Sequence, residues 1–143
     1  MRPSYVLKIA LIFVICFINT GAVLANGKAL YKEYCASCHG VELEGQEDWK
    51  TPNDDGSLKA PPHDARGHTW HHSDRLLFFY SKYGGDEALK TIGVTGVKSA
   101  MPGFKDVLDD SQIWKILSYI KSTWPKREAE YQKKISDQDA ANQ

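Results

Sequence analysis

Two thiols and an imidazole stand close together in the chain, at Cys35, Cys38 and His39. They are spaced as C-x-x-C-H, in the order Cys35-Ala36-Ser37-Cys38-His39. On a helical turn, positions i, i+3 and i+4 share a face, so both sulfurs and the ring would point the same way. This is the attachment spacing of a c-type haem. Each thiol can add to one vinyl group, and the neighbouring imidazole can reach the iron. Three other chemistries use part of the pattern. A thioredoxin-like dithiol also reads C-x-x-C, but the βαβ context it needs is missing. Half a zinc site could be completed by His68, His71 or His72, although Cys38 lies further from them than compact fingers allow. A plain disulfide would leave His39 incidental.

The compartment bears on that choice. Residues 1–25 carry only Arg2 and Lys8 as charges, then the uninterrupted apolar run Ile9–Ile18, then a break at Asn19-Thr20-Gly21 and small residues up to Ala25. This is the pattern of a secretory signal peptide. The run is short for a bilayer span, but with its flanks (residues 5–25) it is compatible with an uncleaved inner-membrane anchor. Cys16 has Ile15 before it, where a lipoprotein site would have a small residue, so it reads as filler of the apolar run. The expected location is periplasmic or otherwise exported, where thiols tend to oxidise. Cleavage after Ala25 would leave Cys35 and Cys38 as the only cysteines, and two more acids than bases.

The full chain has 143 residues, 18 Lys+Arg against 18 Asp+Glu, 42% hydrophobic and 25% charged residues. These values are those of an ordinary globular domain. A balanced charge gives no nucleic-acid footprint. The organisation reads as a signal segment (1–25), one domain (26–125) and a polar tail (126–143), either a frayed helix or disordered. A first helix is expected over Asn26–Tyr34, a second from the Ser73 cap to Tyr83 with Gly84-Gly85 ending it, and a last one from Asp109 to about Trp124. Its Asp109-x-x-Gln112 start resembles a capping box. A helical turn near Glu87–Thr91 is also expected. Glu42–Pro62 is polar and turn-rich, and no strand pairs stand out. The fold class is therefore all-α, with three to five helices and long loops. So few helices would make a thin core unless the loops wrapped a large apolar group.

From Gly27 to Trp124 the chain resembles the class I c-type cytochromes. The matching motifs run in that family's order: Gly27-x3-Tyr31, Cys35-Ala36-Ser37-Cys38-His39-Gly40, Ala60-Pro61-Pro62, Met101-Pro102-x-Phe104, and Ile113-Trp114-x2-Leu117-x-Tyr119-Ile120. The resemblance implies one covalently attached haem c, with His39 and Met101 as iron ligands. It implies that the Pro61 carbonyl orients the His39 ring, and that Gly27 and Tyr31 pack against Ile116 and Tyr119. Apart from Met1, Met101 is the chain's only methionine. Pro102 restricts it to extended backbone, and Gly93, Gly96 and Gly103 allow its loop to approach a flat ligand. His63, His68, His71 and His72 are rivals for the sixth position. His63 follows Pro62, where relatives often carry an apolar residue. Trp70 and Arg66 are donors suited to a haem propionate.

An iron with two protein ligands has no open position for a substrate, and no other catalytic constellation is visible. The expected function is a single-electron carrier, not an enzyme. Its partners would be an upstream donor, a downstream oxidase or reductase, and the haem-attachment machinery, with membrane contact only if the leader is retained. The rival functions are a haem-based catalyst or gas binder with a weak Met101, and a cytochrome subunit docked permanently on a larger enzyme. Lys28, Lys82, Lys98 and Lys105 are candidates for a cluster around an exposed haem edge.

Overall fold

The computed structural model describes residues 21–142. The apolar run Ile9–Ile18, and with it most of the expected signal segment, lies outside them. Within the described residues, helix α1 covers 21–34. It is interrupted at Cys35 and followed by the single turn α2 (Ala36–His39). A 3-10 turn at Thr69–His71 leads into α3 (Asp74–Tyr83) and α4 (Gly85–Thr91). Helices α5 (Asp110–Ser122) and α6 (Lys126–Ala141) complete the chain. The fold is all-α, apart from two-residue strands β1 (Ser57–Leu58) and β2 (Lys98–Ser99). These pair in parallel, with Ser57 opposite Lys98 and Leu58 opposite Ser99. Among the described residues, no helix is long and apolar enough to cross a membrane.

Local chemistry sets the helix ends. The Ser73 hydroxyl accepts the Leu76 amide at 3.3 Å, and Gly84, at φ +92°, ends α3 with a conformation that glycine adopts freely. At α5 the capping box closes in both directions. Asp109 accepts the Gln112 amide, and Gln112 accepts the Asp109 amide, each at 2.9 Å.

The core forms where α1 crosses α5. Ile113, Ile116, Leu117 and Ile120 are buried along one side of α5. A Cβ on Gly27 would fall 2.1 Å from the Lys115 carbonyl oxygen, so only glycine permits this approach. One turn later Tyr31 is fully buried, its ring 5.5 Å from that of Tyr119. Its hydroxyl donates to the Gly40 carbonyl at 2.9 Å, tying the crossing to the turn that carries the cysteines.

The polar segment 126–141 is a helix docked through hydrogen bonds rather than an apolar stripe. Gln132 is 1% exposed, with its Nε2 at 2.6 Å from Asp74 Oδ1 and 3.2 Å from the His72 carbonyl. Ser136 Oγ accepts the Asp74 amide at 3.0 Å. Arg75 grips Asp139 with two bonds of 2.8 and 2.7 Å, and Ser73 Oγ donates to the same carboxylate at 2.7 Å. Lys121 reaches the Asp74 carboxylate from α5 at 2.6 Å. One end of α6 is thereby fastened to the N-terminus of α3.

Arg75, and after it Ser73, holds the Asp139 carboxyl down at about 2. A depressed carboxyl contributes stability above its unfolded pKa and loses that contribution as pH falls through its folded one. Asp139→Asn is therefore expected to lower the thermal midpoint at pH 7. The gap to the parent should close as pH falls from about 4 towards 2. Thermal unfolding of the holoprotein across that range checks this; a gap that persists at pH 2 would mean that the ion pair is not its origin.

Candidate functional site

The site grows out of the end of α1. The Cys35 amide donates to the Tyr31 carbonyl and the His39 amide to the Cys35 carbonyl, both at 2.9 Å, so α2 continues the helical path. Cys35 is half-buried, Cys38 is exposed, and among the described residues neither forms a disulfide. Burial, and after it the nearby Cys38, pushes the Cys35 thiol up to about 12. A nucleophilic dithiol uses the opposite shift.

His39 ends the turn and is 7% exposed. Its Nδ1 lies 2.8 Å from the Pro61 carbonyl oxygen. A carbonyl only accepts, so Nδ1 carries the proton and Nε2 presents a lone pair. Burial lowers the pKa of the ring, with the Pro61 bond opposing it. The result is a neutral imidazole in a fixed tautomer, the form in which histidine ligates a metal.

The long loop between α2 and the 3-10 turn supplies that carbonyl. It is closed by the Gln46 amide on the Ala60 carbonyl (2.9 Å) and the Ala60 amide on Gln46 Oε1 (2.7 Å). The His63 amide donates to Leu43 at 2.9 Å, and the Gly45 amide to the His39 carbonyl at 2.7 Å. Gly45 has φ +71°, and a Cβ there would sit 2.6 Å from the Pro61 carbonyl carbon and 2.4 Å from the Pro62 nitrogen. A glycine is what lets the Pro61-Pro62 backbone pass over the turn.

His63 stacks on His39 with ring centroids 3.9 Å apart and planes 20° from parallel. Its Nδ1 lies 2.8 Å from Thr69 Oγ1, and its carbonyl accepts Trp124 Nε1 at 2.7 Å. Burial, and after it the proximity of His39, holds its pKa well below the ordinary value. His63 is thus a neutral plate against the His39 ring. The other histidines have aromatic neighbours. His68 stacks on Trp49 at 5.3 Å, and His71 lies 3.7 Å from Trp70. His72, edge-on to His68 at 5.3 Å, is pushed down to about 4, chiefly by burial. Among the described residues, no three His, Cys, Asp or Glu side chains gather into a metal cage.

Met101 lies on a separate loop, against the corner between α3 and α4. Its carbonyl accepts the Gly85 amide at 3.0 Å, and its amide donates to Ser99 Oγ at 3.2 Å. Three residues on, the Phe104 ring meets Tyr34 edge-to-face at 6.2 Å, next to Cys35. The structure thus gathers Cys35, Cys38, His39 and Pro61 into one cluster. The Phe104–Tyr34 contact links the Met101 loop to it. Of the two candidate propionate donors, Arg66 is already paired with Asp64, with Nε 2.8 Å from its carboxylate. The Trp70 Nε1 proton is buried and has no partner among the described residues. Two thiols and an imidazole nitrogen with a free lone pair fit the vinyl groups and iron of a haem. Sequence reading misses Gly45, Leu43, Thr69 and Trp124. Trp124 and His63 are 61 positions apart, and no local pattern marks either as a partner of the other.

Residues 22–120 match the family described as cytochrome C oxidase, cbb3-type, subunit III. Cytochrome c6 of Diacronema lutheri is 27% identical over 103 residues, covering 69% of this chain and 94% of that protein. No solved structure matches the chain.

Gly45→Ala is expected to destabilise the holoprotein by about 1–3 kcal/mol, through the left-handed backbone and the clash with the Pro61-Pro62 segment. The denaturant midpoint measures this. An unchanged midpoint would show that the Pro61 carbonyl is not held by this close approach.

Proposed function

This chain belongs to the cytochrome c family, and from that premise we propose that Cys35 and Cys38 hold one haem through thioether bonds, with His39 and Met101 as the iron's two protein ligands. It is a monohaem c-type cytochrome, an electron carrier and not an enzyme. The observation that carries the ligand reading is the His39–Pro61 bond at 2.8 Å, which fixes the proton on Nδ1 and leaves Nε2 to ligate. When bound, the haem iron supplies a reversible one-electron couple, and a thioether ligand favours its ferrous state and raises the potential.

The chain's own residues have distinct tasks. Each thiol would hold one vinyl group as a thioether, so the Cys35–Cys38 turn would fasten the group covalently. The Pro61 carbonyl sets the azimuth of the His39 ring and increases its basicity. His63, stacked on that ring, shields it from water. Trp70 Nε1, buried and without a partner among the described residues, would suit a propionate carboxylate. Two protein ligands leave little rearrangement between oxidation states, which suits electron transfer.

The protein is read as exported, through the leader pattern of residues 1–25, and as working between an electron donor and an oxidase or reductase. The description of the matching family favours a second reading, a cytochrome subunit held on an oxidase. Co-purification with a membrane oxidase at high salt would support the subunit; isolation as a free protein supports the mobile carrier.

Expression of the full chain with a haem-attachment system, followed by intact mass, tests the proposal. The expected mass is that of the chain, with or without residues 1–25, plus one haem that survives denaturation. Cys35→Ala and Cys38→Ala should each leave a single thioether. A chain without covalent haem would overturn the reading.

A further inference from the structure

The loop that carries Met101 is gripped at both ends by the start of α4. Asp86 Oδ1 accepts the Ser99 amide at 2.7 Å. Ser99 Oγ accepts the Met101 amide at 3.2 Å, and the Met101 carbonyl accepts the Gly85 amide at 3.0 Å. The backbone is seated closely. A Cβ on Gly85 would lie 1.9 Å from Ser99 Oγ, and one on Gly103 would lie 2.6 Å from the Tyr83 carbonyl carbon. On its other side Ser99 faces Leu58 across the β1–β2 pair. Beside it, Lys98 meets Asp55 at 3.3 Å, itself bonded to the Ser57 hydroxyl at 2.6 Å. By contrast, the residues before this grip, Thr91–Gly93 and Thr95–Lys98, are exposed.

We propose that Asp86 and Ser99 are positioning residues for the sixth ligand. They fix the backbone of Met101 and so set how easily an external ligand displaces it. This rests on the reading of Met101 as an iron ligand. A thioether is a weak, neutral donor, so its retention depends on how much loop structure must break when it leaves. Displacing Met101 from its seat breaks the Ser99–Met101 and Gly85–Met101 bonds, and Asp86 is what holds Ser99 in place to make the first of them. Asp86 is exposed and Ser99 half-buried, so removing either side chain leaves the α1–α5 core untouched.

The test is imidazole titration of the ferric holoprotein, followed by loss of the far-red methionine–iron charge-transfer band. Asp86→Ala and Ser99→Ala are each expected to bind imidazole about three- to tenfold more tightly than the parent, the equivalent of one ordinary net hydrogen bond. Asp86→Asn keeps an acceptor oxygen and should stay within about twofold. Should Asp86→Ala fail to accumulate, Ser99→Ala carries the test alone. Affinities within twofold of the parent for the alanine variants, or an asparagine variant as loose as the alanine one, would overturn the inference; a role in stability alone would lower the thermal midpoint and leave the imidazole affinity unmoved. A parent protein without the far-red band would instead refute the Met101 reading itself, and this inference with it.

Discussion

One proton governs the site. With the Nδ1 hydrogen of His39 committed to the Pro61 carbonyl, the imidazole has a single tautomer, a single orientation and one nitrogen left to ligate. Much of the surrounding structure fixes the two partners of that bond. Gly27 lets α1 approach α5 closely enough for Tyr31 to be buried, and the Tyr31 hydroxyl holds Gly40, the residue after His39. Gly45 lets the Pro61-Pro62 backbone pass over the turn, and Gln46 clasps Ala60 beside it. His63 lies flat on the ring, itself held by Thr69 and by the indole of Trp124 at the end of the last core helix. A buried, neutral imidazole braced by a rigid carbonyl is a suitable partner for a metal whose charge must change without its ligands moving.

The methionine side is built differently. The His39 ring is braced by buried elements, whereas Met101 is held at the corner of two short helices by the buried Gly85 amide and, through Ser99, by the exposed Asp86. The two halves meet through Tyr34 and Phe104 and, more distantly, through the two-residue β1–β2 pair that joins the long loop to the methionine loop. In the proposed ligand set, the histidine, braced by buried elements, would retain the group, and the methionine would tune the iron.

The parts legible in the sequence are those whose chemistry is local. C-x-x-C-H states its spacing within one turn, the Ser73 and Asp109 caps lie three residues from their partners, and the α5 stripe repeats at helical period. The crossing of α1 and α5 was legible only through family resemblance, because no local pattern says that Gly27 will meet Lys115. Segment 126–141 carries no apolar stripe and reads as a tail. It is ordered because Gln132, Ser136 and Asp139 find His72, Ser73, Asp74 and Arg75, polar partners far away in the chain. The β1–β2 pair is too short to show alternation, so nothing in its residues announces it. His63 reads as a rival ligand when only its type is known. Its stacking on His39 is a long-range placement that its residue type does not announce.

The central claim is that His39 and Met101 complete the coordination of a single iron. Methyl-labelled methionine offers the most direct measurement, because the chain holds only Met1 and Met101. In the proton NMR spectrum of the ferrous holoprotein, the account predicts one three-proton methionine methyl line shifted far upfield by the ring current of the haem above which it sits. Loss of that line in Met101→Ala would assign it. A methionine methyl that stays at its ordinary position in the ferrous protein would contradict the account.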